Sequence, residues 1–310
     1  MRILHFNEHG TNMGGVECYI ADVATALDAA GHHSHLAYIS GDKGDLIPDT
    51  THIPLAAGNP QAASTTSALE RAVTEFRPDV AYVHAVYRPG LVSWLAQRLP
   101  TVAYVHSPYL VCPGYAQYLK RTARVCPHKA GLVCMLNAQV ENCCFGRSPL
   151  THARRLSEVR SCIRAYHGIP ILTNSKFMRQ LLHRNQIPLE HIKVIAPVLL
   201  EDSPPDFVPP SGLRKMLFVG RLTPEKGLHQ LIEAIAPLET DWELIVAGDG
   251  EERVTCQNLA ARLNVAHKVH IRGWLSQSEV ASLYQDCAFV VVPSLWPEPF
   301  GRTGPEAFLN

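Results

Sequence analysis

Residues 216–227 read MLFVGRLTPEKG. The four apolar residues 216–219 have the length and composition of a buried strand. Glycine follows, then a polar turn carrying Arg221 and Lys226, then a segment of helical period beginning near Gly227. A buried strand that passes straight into a helix is the repeating half of a parallel sheet. The alternation continues downstream, where residues 244–247, 269–271 and 289–292 read as strands and helices begin near Glu251 and Ser276. Upstream, residues 3–6, 36–39, 80–83, 102–106 and 171–173 read as strands. Val16, Tyr19, Ile20, Val23, Leu27 and Ala30 mark a first helix that Gly31 would stop. Residues 197–212, PVLLEDSPPDFVPPSG, carry no period and are rich in proline, so they read as a linker. The expectation is two α/β domains, 1–196 and 213–310, of one architecture but without a shared sequence repeat.

The bulk numbers agree with two domains, since 310 residues exceed the roughly 100–200 of one domain. Hydrophobic residues make up 46%, and 28 basic residues balance 28 acidic ones. A net charge of zero argues against a general nucleic-acid binder. The N-terminus, MRILHFNEHG, has neither an apolar core nor a cleavage site of a signal peptide. No run approaches the ~20 apolar residues of a membrane span. A cytoplasmic protein is the expectation, with the nine cysteines as thiols or metal ligands rather than disulfides.

Three segments could carry chemistry. Asn12-Met13-Gly14-Gly15-Val16-Glu17 lies between the first strand and first helix. There paired glycines admit a ligand to the backbone and a helix N-terminus offers N–H groups to an anion; an ordinary βα turn would look the same. Arg221 and Lys226 follow a strand at the carboxyl end of the sheet, where open α/β folds bind ligands and where both cations could grip phosphate; the alternative is a solvated loop. Glu298 and Glu306 bracket a strand-to-helix turn that includes Phe300 and Gly301. Carboxylates accept hydrogen bonds from sugar hydroxyls, although a surface acid and a first-turn acid are the plainer reading.

In this order and context the segments resemble family 4 of the retaining glycosyltransferases. The text between them fits too: Val246-Ala247-Gly248-Asp249-Gly250, Ile271-Arg272-Gly273-Trp274 and Val292-Pro293-Ser294. The resemblance runs nearly the whole chain and is most specific over residues 216–306. It implies a GT-B fold, two Rossmann-like domains facing a cleft, with a nucleoside-diphosphate-sugar donor held mainly by the second. Carried over, Arg221 and Lys226 would bind the diphosphate, Glu306 the ribose, and Glu298 the donor sugar beside the backbone of Phe300 and Gly301. Gly273 and Trp274 would lie near the base. The Gly14-Gly15 turn would bring an amide to the phosphate or transferring sugar. His106 matches a family histidine near the donor sugar; by itself it reads as a buried structural histidine.

Two departures stand out. Ser107 follows His106 where the family often has aspartate. A helix begins near Arg302 and the sequence stops at Asn310, so the second domain is expected to be incomplete, and this chain alone a poor catalyst or an inactive donor-binding or interaction module.

Residues 107–167 form a cysteine-rich insertion. Cys112, Cys126, Cys134 and one of Cys143 or Cys144 could make a closed zinc site, or remain unligated thiols, because the spacing is not the tight paired pattern. Arg147, Arg154, Arg155, Arg160 and Arg164 lie on an expected helix with Glu158 the lone acid. That is either a solvated face or a docking surface for anionic lipid or for a lipid-linked or acidic acceptor at the inner membrane face. The implied reaction moves a sugar to an acceptor hydroxyl of a glycan, lipid-linked or small molecule, with the anomeric configuration retained. No metal is expected in catalysis, because two cations sit at the diphosphate. An epimerase of the same α/β class would need a GxGxxG fingerprint after Phe6, which residues 9–15 lack.

Overall fold

The computed structural model describes residues 1–12, 14–41, 44–54, 63–144, 148–199 and 214–309, with the side chains of residues 63 and 64 set aside. Of the expected linker only residues 197–199 are described, and they carry no regular structure. Residues 200–212 lie outside the described residues, as do Met13, Arg147 and Asn310. The chain divides into two compact units. One is Met1–Gln117 with Pro127–Leu200; the other is Tyr118–Cys126 with Glu201–Asn310.

The first unit runs β1 (Arg2–His9), α1 (Gly15–Ala29), β2 (His33–Ser40), β3 (Thr50–His52), α2 (Ala63–Phe76), β4 (Val80–Val83), α3 (Pro89–Ala96) and β5 (Thr101–Val105). The chain then leaves for β6 (Tyr118–Leu119) and β7 (Arg124–Val125) and returns through α4 (Leu132–Val140), α5 (Pro149–Tyr166), β8 (Ile171–Thr173), α6 (Lys176–Arg184) and β9 (Ile192–Val194). Seven strands form one parallel sheet in the order β3-β2-β1-β4-β5-β8-β9. The expected strands over 80–83 and 171–173 match β4 and β8. Those over 3–6 and 36–39 fall inside the longer β1 and β2, that over 102–106 runs one residue past β5, and β3 and β9, of three residues each, are too short to stand out.

Both faces of this sheet are covered, which is why its central strands read as unbroken apolar runs. Leu4, Phe6, Ala81, Val83, Ala103 and Val105 face the layer holding Leu69, Leu91, Leu95, Tyr166 and Leu182. Ile3, Leu36, Tyr38, Tyr82 and Tyr104 face Tyr19, Ile20 and Val23 of α1. The turn after α1 places Gly31 at φ 81, the left-handed conformation that ends many helices, as its position predicts.

The second unit has β10 (Arg214–Val219), α7 (Leu228–Ile235), β11 (Trp242–Ala247), α8 (Arg253–Arg262), β12 (Val269–Gly273), α9 (Gln277–Asp286), β13 (Phe289–Val290) and α10 (Thr303–Leu309). Its parallel sheet has the order β12-β11-β10-β13. Ser276 and Glu279 make a capping box at α9, each satisfying the other's backbone N–H. In each sheet the winding reverses beside the first strand, between β1 and β4 and between β10 and β13. Loops part at such switch points, so the carboxyl ends of these strands are where a ligand crevice can form.

Candidate functional site

In the second unit the loops that follow β10 and β13 are stitched together. Gly227 has φ 74, and a Cβ there would stand 2.2 Å from the Pro293 carbonyl oxygen, so only glycine lets the two backbones meet. The Leu295 N–H donates to the Glu225 carbonyl at 2.8 Å. This contact carries Lys226 to Glu298: Lys226 Nζ lies 2.5 Å from Glu298 Oε1. Ser294 Oγ donates to the same oxygen at 2.7 Å. The Trp296 ring centre lies 5.4 Å from the ammonium. Burial tends to raise the Glu298 pKa, but the Lys226 charge and hydrogen bonds from Lys226, Ser294 and Trp296 outweigh it and hold the carboxyl below its ordinary value.

The other residues expected at the donor lie in the loops and helix that follow the strands of the same sheet. Arg221, the second residue after β10, is exposed, and it makes no ion pair among the described residues. Gly301 has φ 73, and a Cβ there would stand 3.6 Å from Glu298 Cβ. Phe300 is half-buried beside it. Glu306 is in the first turn of α10, where Arg302 Nε donates to it at 2.8 Å and the Tyr284 hydroxyl at 3.3 Å. Gly273 ends β12 with Trp274 61% exposed next to it. A layer of glycines lets these loops approach. A Cβ on Gly248 would lie 1.9 Å from the Gly220 carbonyl oxygen, and one on Gly250 would lie 2.4 Å from that of Leu222. The motif Val246-Ala247-Gly248-Asp249-Gly250 is thus a packing device that brings the loop after β11 onto the loop after β10. Ser294 and Trp296 were within reach of sequence reasoning, because they precede Glu298 closely. Tyr284 reaches Glu306 from α9, 22 residues away, and nothing in the local pattern marks it.

The first unit supplies a second group of expected site residues. Gly14 caps α1 at φ 156, and its N–H donates to Asn12 Oδ1 at 3.2 Å. Gly15 opens the helix. Glu17, buried in the first turn, accepts from Asn7 Nδ2 at 3.1 Å, which ties that turn to β1. Tyr19, one turn on, meets the His106 ring edge-on with centres 5.0 Å apart. The glycine turn and His106 are therefore at the same end of the sheet. His106 follows β5 directly. Its Nε2 lies 3.5 Å from His84 Nδ1, and its carbonyl accepts from Asn174 Nδ2 at 2.9 Å. Ser107, where the family often has aspartate, caps the short helical turn of residues 108–110 by accepting from the Tyr109 N–H at 3.4 Å. His84, at the end of an apolar run, and its neighbour His5, inside one, had no sequence signal, since each reads as a lone histidine.

The cysteines divide between the units. Cys126 belongs to the second unit and is buried there. Cys112, Cys134, Cys143 and Cys144 are neighbours in the first. The Cys144 thiol is pushed far up in pKa, chiefly by its hydrogen bond with Cys143, then by burial, then by the proximity of Cys143, Cys112 and Cys134. A Cβ on Gly114 would lie 2.0 Å from the Cys143 carbonyl oxygen, so the turn after Cys112 lies directly on Cys143. Among the described residues no three His, Cys, Asp or Glu side chains are arranged to hold a metal ion. On α5, Leu156, Val159, Cys162 and Tyr166 face inward. Arg154 pairs with Glu158 at 3.0 Å, and Arg155 is half-buried, 5.0 Å from the Tyr115 ring centre. Among the described residues no helix is long and apolar enough to cross a membrane.

Comparison with known proteins identifies the family and the fold. A Bacillus subtilis glycosyltransferase, YqgM, is 32% identical over 161 residues, 50% of this chain and 43% of that protein. The D-inositol 3-phosphate glycosyltransferase of Corynebacterium glutamicum is 26% identical over 247 residues, 72% of this chain and 57% of that one. The alignments span about half the length of these curated relatives or less. Among solved structures, Anabaena HepE in complex with UDP has a TM-score of 0.69 at 19% identity, covering 100% of this chain and 78% of HepE. The lipopolysaccharide outer core galactosyltransferase WaaB has a TM-score of 0.60 at 16% identity, covering 99% and 78%. These two share the GT-B fold of two Rossmann-like domains with the present chain. Residues 13–198 match Glycosyltransferase Family 4 and residues 201–309 match Glycosyl transferases group 1, so the two units together make this chain a member of the family 4 glycosyltransferases.

Proposed function

We propose that the chain transfers a sugar from a nucleoside-diphosphate sugar to an acceptor hydroxyl with the anomeric configuration retained. The observation that carries this reading is the Lys226–Glu298 pair at the switch point of the second sheet, with exposed Arg221 on the adjoining loop. A cation and a carboxylate held side by side suit the two halves of such a donor, its diphosphate and its sugar hydroxyls. The HepE structures with UDP and with UDP-glucose support a nucleotide-sugar ligand for this fold.

In this reading Arg221 and Lys226 stabilise the departing diphosphate, Glu298 orients the sugar with Phe300 and Gly301, Glu306 holds the ribose, and Gly273 with Trp274 borders the base. Gly14, Gly15 and His106 are the first unit's candidates for donor contact. The bond from the sugar C1 to the phosphate oxygen breaks with its electron pair staying on that oxygen. The acceptor oxygen bonds to C1 on the same face, and its proton passes to the departing phosphate. The charge that develops is met by two side-chain cations, so the step asks for no divalent metal. The acceptor is a glycan, a lipid-linked or a small molecule, met in the cytoplasm or at the inner membrane face through the basic side of α5. The cysteine group serves structure rather than catalysis. Incubating the protein with a donor library and reading the anomeric configuration of the product by NMR tests the reading: an inverted product, or donor binding that survives loss of both Arg221 and Lys226, overturns it.

A further inference from the structure

Lys226 has two anions to serve. In the structure its ammonium is paired with Glu298, Nζ to Oε1 at 2.5 Å. In the proposed reaction it meets a diphosphate, which carries more charge than one carboxylate and attracts it more strongly. Glu298 then loses its ion pair at the moment when it has a sugar to orient. Burial disfavours a charged carboxylate that has lost its counter-ion, so another group has to hold it.

Ser294 is placed to do this. Its hydroxyl donates to the same oxygen, Glu298 Oε1, at 2.7 Å, a short contact of the kind a hydroxyl makes with a charged carboxylate. The hydroxyl is neutral, so the arrival of phosphate does not draw it away as it draws an ammonium. The backbone of Ser294 is fixed on both sides without help from the Lys226 side chain. Before it, Pro293 lies so close to Gly227 that a Cβ there would stand 2.2 Å from the Pro293 carbonyl oxygen. After it, the Leu295 N–H donates to the Glu225 carbonyl at 2.8 Å. Pro297 and Pro299 set the rest of the segment. Each fixes its own φ and restricts the residue before it to extended backbone, and those residues are Trp296 and Glu298. What remains free to turn is the Glu298 side chain. Burial raises the pKa of its carboxyl; the Lys226 charge, and then hydrogen bonds from Lys226, Ser294 and Trp296, lower it. Lys226 is the charged group among these. Once it turns away, the Ser294 hydroxyl and the Trp296 indole are what oppose burial.

We infer that Ser294 is a positioning residue that keeps the Glu298 carboxylate in place once the donor diphosphate has drawn Lys226 away from it. This rests on the reading of Lys226 as a diphosphate ligand and of Glu298 as a sugar ligand, and it adds the exchange of partners between the two. Ser294 touches neither the sugar nor the phosphate to perform its part.

The test is an NMR titration of the Glu298 carboxyl carbon in the whole chain labelled with 13C-glutamate. The signal is identified by its loss in Glu298→Gln. Spectra are taken without ligand and with saturating UDP, GDP or ADP, whichever binds the wild type best by calorimetry. Without ligand, Ser294→Ala should move the Glu298 midpoint little, because Lys226 still holds Oε1. With the nucleotide bound, the midpoint should rise in both proteins as Lys226 turns to the phosphates. It should rise further in Ser294→Ala by about one pH unit or more, roughly tenfold in proton affinity, as expected for one hydrogen bond to a charged group. Ser294→Thr, which keeps the hydroxyl, should titrate as the wild type does. A Ser294→Ala shift of the same size with and without nucleotide overturns the inference, because a merely structural role would act in both states. So does a wild-type midpoint that the nucleotide leaves unmoved, since Lys226 has then stayed on Glu298, and so does a Ser294→Thr protein that titrates like Ser294→Ala. Sugar transfer plays no part in the readout, so these results leave the proposed function standing. Failure of all three nucleotides to bind the wild type would instead remove the diphosphate reading, and this inference with it.

Discussion

Changing Glu298 to glutamine separates the two halves of the proposed donor site. The amide keeps the size of the carboxylate and an oxygen for Ser294, but it removes the charge that holds Lys226. The two side chains are 21% and 19% exposed. The pair therefore falls between an exposed ion pair, at about 0–1 kcal/mol, and a buried one whose breakage costs about 3–5 kcal/mol. Exchanging a charge-assisted hydrogen bond of about 1.5–3 kcal/mol for a neutral one of about 0.5–1.5 kcal/mol predicts a loss of about 1–2 kcal/mol from the second unit. The pH dependence has a defined sign. The Glu298 carboxyl is held below its ordinary value of 4.5, so its stabilisation is complete above that pH and disappears as pH falls through the lower folded value. The variant should lack this acid-side loss. Ligand binding should move the other way from stability. Lys226 no longer has to leave Glu298 to reach phosphate, so nucleoside-diphosphate affinity should hold or rise by up to about tenfold, or ~1.4 kcal/mol, while sugar transfer falls. Calorimetric titration with UDP beside a transfer assay measures both. An affinity that drops as far in Glu298→Gln as in Lys226→Ala would refute the division of labour between sugar and diphosphate.

Alanine at both Arg221 and Lys226 should weaken nucleoside-diphosphate binding by about 3 kcal/mol or more, over a hundredfold, given ~1.5–3 kcal/mol per charged hydrogen bond; unchanged calorimetric affinity would remove both residues from the site. Gly227→Ala and Gly301→Ala share a left-handed φ, but only the first would drive a Cβ against a carbonyl oxygen. Urea unfolding should show about 1–2 kcal/mol of strain for Gly301→Ala and clearly more for Gly227→Ala; equal losses would mean that the Pro293 contact contributes nothing. Transfer should persist in EDTA, and rescue by manganese or magnesium, but not by zinc, would contradict the proposed metal-free step. Elemental analysis should find no zinc on the cysteine group, because no three ligand side chains are arranged around an ion among the described residues; zinc that is present and falls when Cys112 or Cys143 becomes serine would contradict this.

The strands and helices were legible because both sheets are covered on both faces. Residues 80–83 and 171–173 must then be apolar without interruption, and a run of that kind bounded by turns has few alternatives. Short edge strands such as β3 and β9 lacked that pattern, and the helix α4 turns Leu132, Leu136 and Val140 outward, contrary to the usual amphipathic rule. At the site, residues adjacent in sequence were legible and residues adjacent only in space were not. Lys226 and Glu298 could be named separately as candidates, but their contact depends on Gly227 meeting Pro293. Tyr284 beside Glu306 and His84 beside His106 come from other elements, and no local spacing announces such neighbours. Among the cysteines, Cys112, Cys134 and Cys143 lie near Cys144, and Cys126 is the last residue of the segment counted with the second unit.

The short hairpin of β6 and β7 has a consequence for how the chain folds as it is made. Its two strands pair antiparallel, Tyr118 with Val125, across a turn of a few residues, so the hairpin can close locally within microseconds. Its partners lie far along the sequence. Tyr118 is buried in the second unit, and Lys120 pairs with Glu251 at 3.4 Å. At a synthesis rate of about 5–20 residues per second, the hairpin waits several seconds for the surface it docks on. During that wait the first unit can assemble around it, from Met1–Gln117 and Pro127–Leu200, with the hairpin as a projecting loop. The two units are therefore not independent in time. The later one is completed by a piece that the ribosome delivered before the earlier one was finished, and a fragment starting after residue 200 would never possess it.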